Sequence, residues 1–211
     1  MSEQIQPDDL AARLLQASGS RRRLVAAIAA APGAGKSTLA AGLRAAIDRR
    51  SGGTAAAVVP MDGFHLDNAV LESRGLLARK GAPETFDAAG FVALVARLRQ
   101  EEEVVVPLFD RVRDLAVAGA AVVEPRHRIV LVEGNYLLLD EAPWDRLAAL
   151  WDVTIWVEVP EDELERRLVQ RWLDHGLGPE AARARALGND IPNARRVRAN
   201  SRPAMLVVPG T

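Results

Sequence analysis

The chain has 211 residues, 49% hydrophobic and 26% charged, which suits one α/β domain with a substantial core and argues against disorder. A formal net charge of -1 excludes a broad phosphate-neutralising surface for nucleic acid. The absence of cysteine excludes disulfide and thiolate chemistry, and no stretch reaches the roughly eighteen apolar residues a membrane span needs. With an acidic segment rather than a signal-like run at its start, the chain is expected to be soluble and cytoplasmic.

In chain order, residues 7–16 carry the pattern of a short amphipathic helix, ended by Ser-Gly-Ser. Residues 24–31 form an apolar run entering Pro-Gly-Ala-Gly, as a buried strand leading into a tight loop would. Residues 37–50 read as helix, stopped by Ser51-Gly52-Gly53. Residues 54–60 are the next strand, with Asp62-Gly63-Phe64-His65 at its carboxyl end. Residues 68–77 are expected to be helical, 79–85 a loop and 88–100 an amphipathic helix. Two β-rich runs follow, 104–109 and 115–123. Residues 128–132 make a buried strand ending in Glu133-Gly134-Asn135-Tyr136, and 153–159 another. Helices are expected at 161–175 and from 179 to about 187, with 205–208 closing the sheet. Strands alternating with helices imply an α/β fold with a mainly parallel sheet, helices on both faces and ligands at the carboxyl ends of the strands. One domain over 1–211 is expected, with a helical lid at 161–190.

The strongest local signal is Ala30-Ala31-Pro32-Gly33-Ala34-Gly35-Lys36-Ser37-Thr38. Backbone N–H groups in such a P-loop ring the phosphates of a nucleotide, with the following helix pointing its amino terminus at them. Gly33 and Gly35 permit the backbone turns, Lys36 bridges the outer phosphates, and Ser37 ligates Mg²⁺. Ala30 stands where the usual pattern has its first glycine. Only Lys36 and Lys80 are lysines, every other basic side chain being arginine, so Lys36 occupies a position where a compact point charge is needed.

Asp62 follows the next strand and should emerge at the same sheet end as the P-loop. A carboxylate there can accept the proton of an attacking hydroxyl, hold a metal-bound water, or simply cap the next helix. Glu133 ends the most apolar strand and reads as a ligand of Mg²⁺, its water or a substrate hydroxyl, or else as a structural hydrogen-bond acceptor. Asn135 and Tyr136 either line the pocket or pack. Arg111 and Arg113, between Asp110 and Asp114, form either a cationic cleft rim or a solvated cluster on a hairpin. His65 is a substrate donor or a packing residue, while His127 reads as turn surface. Three scattered histidines offer no zinc spacing. Arg167 and Arg171 share one helix face, with Arg166 beside them. They suit a lid over the phosphates, the rival being surface pairing with Glu163 and Glu165. Four tryptophans, at 144, 151, 156 and 172, read as core or interface.

The blocks APGAGKST, MDGFHLDN, RKGAPETFD, PLFDRVRD, VEGNYLLL, RWLDHGL and GNDIPNA, in this order, resemble the phosphoribulokinase, uridine kinase and bacterial pantothenate kinase superfamily, nearest its fructose-transport-system, or fructokinase-like, branch. The resemblance covers residues 25 to about 208. It implies a P-loop kinase that uses ATP and Mg²⁺ to phosphorylate a hydroxyl of a small-molecule alcohol, most simply a sugar or nucleoside. It further implies Asp62 as base, Lys36 and the loop residues Gly33, Ala34, Gly35, Ser37 and Thr38 on the phosphates, and Glu133 as metal- or substrate-side carboxylate. Arg167 and Arg171 become lid arginines. Lys80 and Asp87 fall in the block along the acceptor site, joining His65, Arg111 and Tyr136. Asn189, Asp190 and Asn193 fall near the adenine. Relatives often dimerise, which makes a homodimer an expected assembly, although no heptad or apolar patch announces one. The competing expectation is a regulatory NTP-binding or NTPase module without an acceptor.

Overall fold

The structure of the protein, a computed structural model, describes residues 2–210. Six parallel strands form the main sheet: β1 (Glu3–Gln4), β2 (Leu24–Ala29), β3 (Ala56–Pro60), β6 (Ile129–Gly134), β7 (Val153–Glu158) and β8 (Leu206–Pro209), in the order β1-β8-β7-β2-β6-β3. The two strands between them in sequence, β4 (Val104–Asp110) and β5 (Leu115–Val123), pair only with each other as an antiparallel hairpin. Residues 206–209 therefore lie one strand in from the edge, which belongs to the two-residue β1, a polar piece with no sequence signature of its own.

Strands β2 and β6 are buried at every position, which explains their unbroken apolar runs. Alternate residues feed two cores. Val25, Ala27, Val130 and Val132 face Phe91, Tyr136 and Trp144, below α4 (Ala88–Gln100). Ala26, Ile28, Leu131 and Ile155 face the other layer, built from α1 (Pro7–Ser18), α2 (Lys36–Ser51), α5 (Glu161–Asp174) and α7 (Ile191–Asn200). The remaining α-helices are α3 (Asn68–Ser73) and α6 (Pro179–Arg185). α3 is shorter than its sequence pattern suggests, because Arg74-Gly75 ends it and a 3₁₀ turn at Leu77–Arg79 follows. Where the sequence reads as ending its helix near 187, the chain instead runs through a π turn, Ala186–Asp190, directly into α7. His127 is buried rather than on the surface, its Nδ1 accepting the Glu124 N–H at 2.9 Å to close a turn.

Topology positions the site. The chain leaves β2 and returns in β3, two places away, because β6 is inserted between them. The registers then align the carboxyl ends: Glu133 pairs with Ile28 on one side and with Pro60 on the other. The P-loop, Glu133 and the Met61–Phe64 turn thus leave adjacent strands at one level, where the strand order reverses and ligands of such sheets bind.

Candidate active site

The P-loop has the geometry its glycines permit. Gly33 and Gly35 adopt φ of 80° and 87°, conformations that a side chain disfavours. Ala30 takes no left-handed φ and is fully buried, so alanine meets the local requirement there. Lys36 is buried, and its Nζ donates to the Ala31 carbonyl at 3.0 Å. Burial pulls its pKa below the usual lysine value; Glu133 and Asp62 oppose that shift, while Arg171 and Arg111 reinforce it. Glu133, Asp62, Arg171 and Arg111 therefore all lie within electrostatic reach of Lys36.

Glu133 is buried, and burial pushes its carboxyl above the usual range, against the pull of Lys36. Its Oε1 accepts from Ser37 Oγ at 2.9 Å. One hydroxyl and one buried carboxylate at the edge of a phosphate loop fit a Mg²⁺ ion held jointly with nucleotide phosphates, which keeps several waters. Among the described residues no group of three or more His, Cys, Asp or Glu could hold a metal alone.

Asp62 lies in the 3₁₀ turn after β3, and its Oδ2 accepts from Arg111 Nη2 at 3.0 Å. The hairpin reaches it because Gly63 leaves room: a Cβ there would stand 2.5 Å from the Pro107 carbonyl oxygen. The hairpin tip is folded by Asp110, whose Oδ1 accepts from the Val112 and Arg113 N–H groups, both at 3.0 Å. That turn brings Arg111 to Asp62 although its side chain stays exposed, and Arg113, also exposed, lies 3.7 Å from Asp110. Asp114, the only described non-glycine residue with positive φ (54°), accepts from Lys80 Nζ at 2.8 Å and Asn68 Nδ2 at 3.0 Å. Lys80 also donates to Asn68 Oδ1 at 2.7 Å and lies 5.2 Å over the Phe109 ring.

His65 packs against Phe86 and Phe109 with tilted rings, at centroid distances of 4.0 and 4.6 Å. Burial lowers its pKa, favouring the neutral ring. Its Nδ1 lies 2.8 Å from the Asp62 carbonyl oxygen, which can only accept, so Nδ1 carries the proton and Nε2 is left as an acceptor.

Lys36, Asp62, His65, Lys80, Arg111, Asp114 and Glu133 line a cavity of about 650 Å³, together with Gly33, Gly35, Ser37, Thr38, Asn135 and Arg171. A second groove, of about 390 Å³, lies on the other flank of the P-loop, between Ala34, Thr38, Leu39 and Pro209.

Several expected contributors are not in the cavity wall. Tyr136 is fully buried, packed on Phe86 and Trp144, and its hydroxyl donates to the Gly81 carbonyl; it braces the loop around Lys80 and Gly81 from behind. Arg167 is drawn back along its helix, its Nε donating to Glu163 Oε1 at 2.6 Å, whereas Arg171 faces the cavity. Asn193 is buried and donates to Asn189 Oδ1 at 3.4 Å, away from both cavities. Asp87 caps α4, accepting the Gly90 N–H at 2.9 Å. Sequence reasoning assigned no site role to Trp172, His175 or Arg185, which also line the cavity. Only adjacency to Arg171 could have raised Trp172.

A phosphate loop that opens on a cavity for a second reactant is organised for transfer rather than storage, and the protein is an ATP-dependent kinase acting on a small molecule. The chain belongs to the phosphoribulokinase / uridine kinase family, whose model matches residues 25–183. It is 39% identical over 196 residues to the uncharacterized protein YggC of Escherichia coli, covering 92% of this chain and 81% of that one. The crystal structure of a "putative fructose transport system kinase" from Silicibacter sp. TM1040 is similar over 96% of this chain and 98% of that one, with a TM-score of 0.91 and 54% identity. YFH7 from Saccharomyces cerevisiae shares the fold, with a TM-score of 0.86 and 19% identity over 97% of this chain and 99% of that one. No helix among the described residues is long and apolar enough to cross a membrane.

Proposed function

We propose that the protein transfers the γ-phosphoryl group of ATP to a hydroxyl of a small polyhydroxy molecule, a sugar or nucleoside, with Asp62 as general base. The observation that supports this reading is the placement of Asp62: it lines the same cavity as the P-loop, at the same sheet end, in electrostatic reach of Lys36. The acceptor O–H gives its proton to the Asp62 carboxylate as its oxygen bonds to the γ-phosphorus. The bond from that phosphorus to the β,γ-bridging oxygen breaks, and ADP leaves with the electron pair. Arg111, now on Asp62, is placed to turn toward the acceptor or the transferring group. His65 Nε2 accepts from a second acceptor hydroxyl, which favours an alcohol with several. Mg²⁺, bound by Ser37 and Glu133 with the phosphates, would supply charge neutralisation. The nucleobase takes the 390 Å³ groove, since the larger cavity is then left for the acceptor. Residues 161–190 act as a lid that brings Arg171 to the phosphoryl oxygens and excludes water.

ADP release measured against a panel of sugars, nucleosides and vitamin precursors, with product identification, tests this reading. Release that depends on one acceptor and yields its phosphate ester supports it. Hydrolysis at the same rate with every compound would point to the regulatory NTPase instead.

The two lid arginines should separate in that assay. Arg171→Ala is expected to lower turnover of the identified acceptor by about 10²-fold or more, with ATP affinity little changed, as for loss of a transition-state donor. Arg167→Ala, which removes an ion pair on the helix surface, is expected to change either by less than about fivefold. Equal losses in both variants would return Arg167 to the phosphates.

A further inference from the structure

The π turn at Ala186–Asp190 is a rare element, of the kind that re-aims side chains at functional sites. Here it gives two consecutive residues contacts in different directions. Asn189, buried, donates from Nδ2 to the Lys80 carbonyl at 3.2 Å. Asp190 accepts from Trp172 Nε1 at 2.6 Å. Trp172 belongs to α5, which also carries Arg171 and seats Leu168 on the P-loop: a Cβ on Gly33 would stand 3.1 Å from Leu168 Cγ. Arg185, at the end of α6, repeats the pattern. It donates to the Ala78 and Lys80 carbonyls while its guanidinium lies 5.2 Å from the Trp172 ring centre.

Together, through the π turn and through Arg185, these contacts join the helix over the nucleotide to the loop beside the acceptor. On that loop, Lys80 reaches Asp114 of the hairpin tip, and Gly81 is held from behind by Tyr136. A continuous chain of packed and hydrogen-bonded groups thus runs from the P-loop through α5 and the π turn to the acceptor rim. The transfer step needs none of these bonds.

We propose that Asn189 and Asp190 are positioning residues that couple the two halves of the site, so that nucleotide bound under α5 sets the loop at 77–85 for the acceptor. The proposal rests on the assignment of that loop to the acceptor side. By reciprocity, an acceptor that orders the loop tightens nucleotide binding by the same factor.

Hydrogen–deuterium exchange with and without a non-hydrolysable ATP analogue and Mg²⁺ tests the coupling. Useful probes are the amides of Gly81, which donates to Thr85 Oγ1 at 3.0 Å, and of Thr85, which donates to the Ala82 carbonyl at 2.9 Å. In the wild type, the analogue is expected to slow exchange at 77–85 by about fivefold or more, the low end of usual coupling factors. Asn189→Ala and Asp190→Ala should each lose that slowing while peptides of the P-loop remain protected. Asp190→Asn, which can still accept the indole N–H, should retain it. If the two alanine variants speed exchange equally with and without nucleotide, the π turn is a passive prop and the coupling is refuted. A wild-type loop indifferent to nucleotide refutes it equally. No acceptor and no transfer enter this experiment, so its outcome is separate from that of the acceptor panel.

Discussion

Asp62→Asn should bind Mg²⁺–ATP as the wild type does and transfer phosphate about 10² to 10⁴ times more slowly, the usual range for loss of a general base. Asparagine is nearly isosteric, and its amide oxygen can still accept from Arg111, which now lies 3.0 Å from Asp62 Oδ2. It cannot accept the nucleophile's proton at neutral pH. If Asp62 instead holds a metal-bound water, the variant will show altered Mg²⁺ dependence of nucleotide binding and partial rescue by Mn²⁺. Calorimetric titration of ATP at several Mg²⁺ concentrations, paired with single-turnover rates, separates the two. A wild-type single-turnover rate in Asp62→Asn would remove the residue from the mechanism altogether.

Lys36→Ala is expected to weaken nucleotide binding and to cut turnover by about 10² to 10³, comparable to loss of one preorganised donor to developing charge. The ammonium is buried with the Ala31 carbonyl as its hydrogen-bond acceptor, and burial already disfavours its charge. A phosphate oxygen is a far better partner than a carbonyl, so nucleotide binding should draw the ammonium from one to the other. The fold should survive, since the group removed is a poorly compensated buried cation. Lys36→Arg is not expected to rescue activity, because a planar fork does not fit the space of a point charge. Thermal melts with and without Mg²⁺–ATP provide the check: the variant should keep its melting point and lose most of the nucleotide-induced rise. Near-normal turnover would overturn the phosphate-loop assignment.

Much of this architecture was legible from the sequence because apolar runs end in chemistry. Residues 24–29, 56–60 and 129–134 are strands for the reason their patterns suggest, and the groups at their carboxyl ends meet because parallel strands finish on one side. The strand order was not legible, so the alignment of Glu133 between Ile28 and Pro60 had to be seen. Residues 186–200 were misread for a local reason. Gly188, Asn189, Asp190 and Pro192 are residues that break helices, yet Pro192 falls in the first turn of α7, where its missing N–H costs nothing. Arg167 and Arg171 do share a helix face, as four-residue spacing requires. Spacing could not say that Glu163, four residues earlier, would claim the first of them. Tyr136 shows the same limit: its place beside Glu133 is fixed by sequence, while the direction of its ring depends on Phe86 and Trp144.

The separation of the β4–β5 hairpin from the main sheet has an evolutionary corollary. Glu133 is clamped by ladders on both sides and cannot be re-aimed without disturbing the centre of the fold. Arg111 and Asp114 sit instead on a turn whose strands pair with nothing but each other. Length or side-chain changes at 110–114 can reshape that part of the cavity wall without disturbing the main sheet, provided Arg111 keeps its contact with Asp62. Exchanging the turn residues other than Arg111 between two members of the family is therefore a route by which a lineage, or an engineer, could vary the proposed acceptor wall while the central sheet stays as it is.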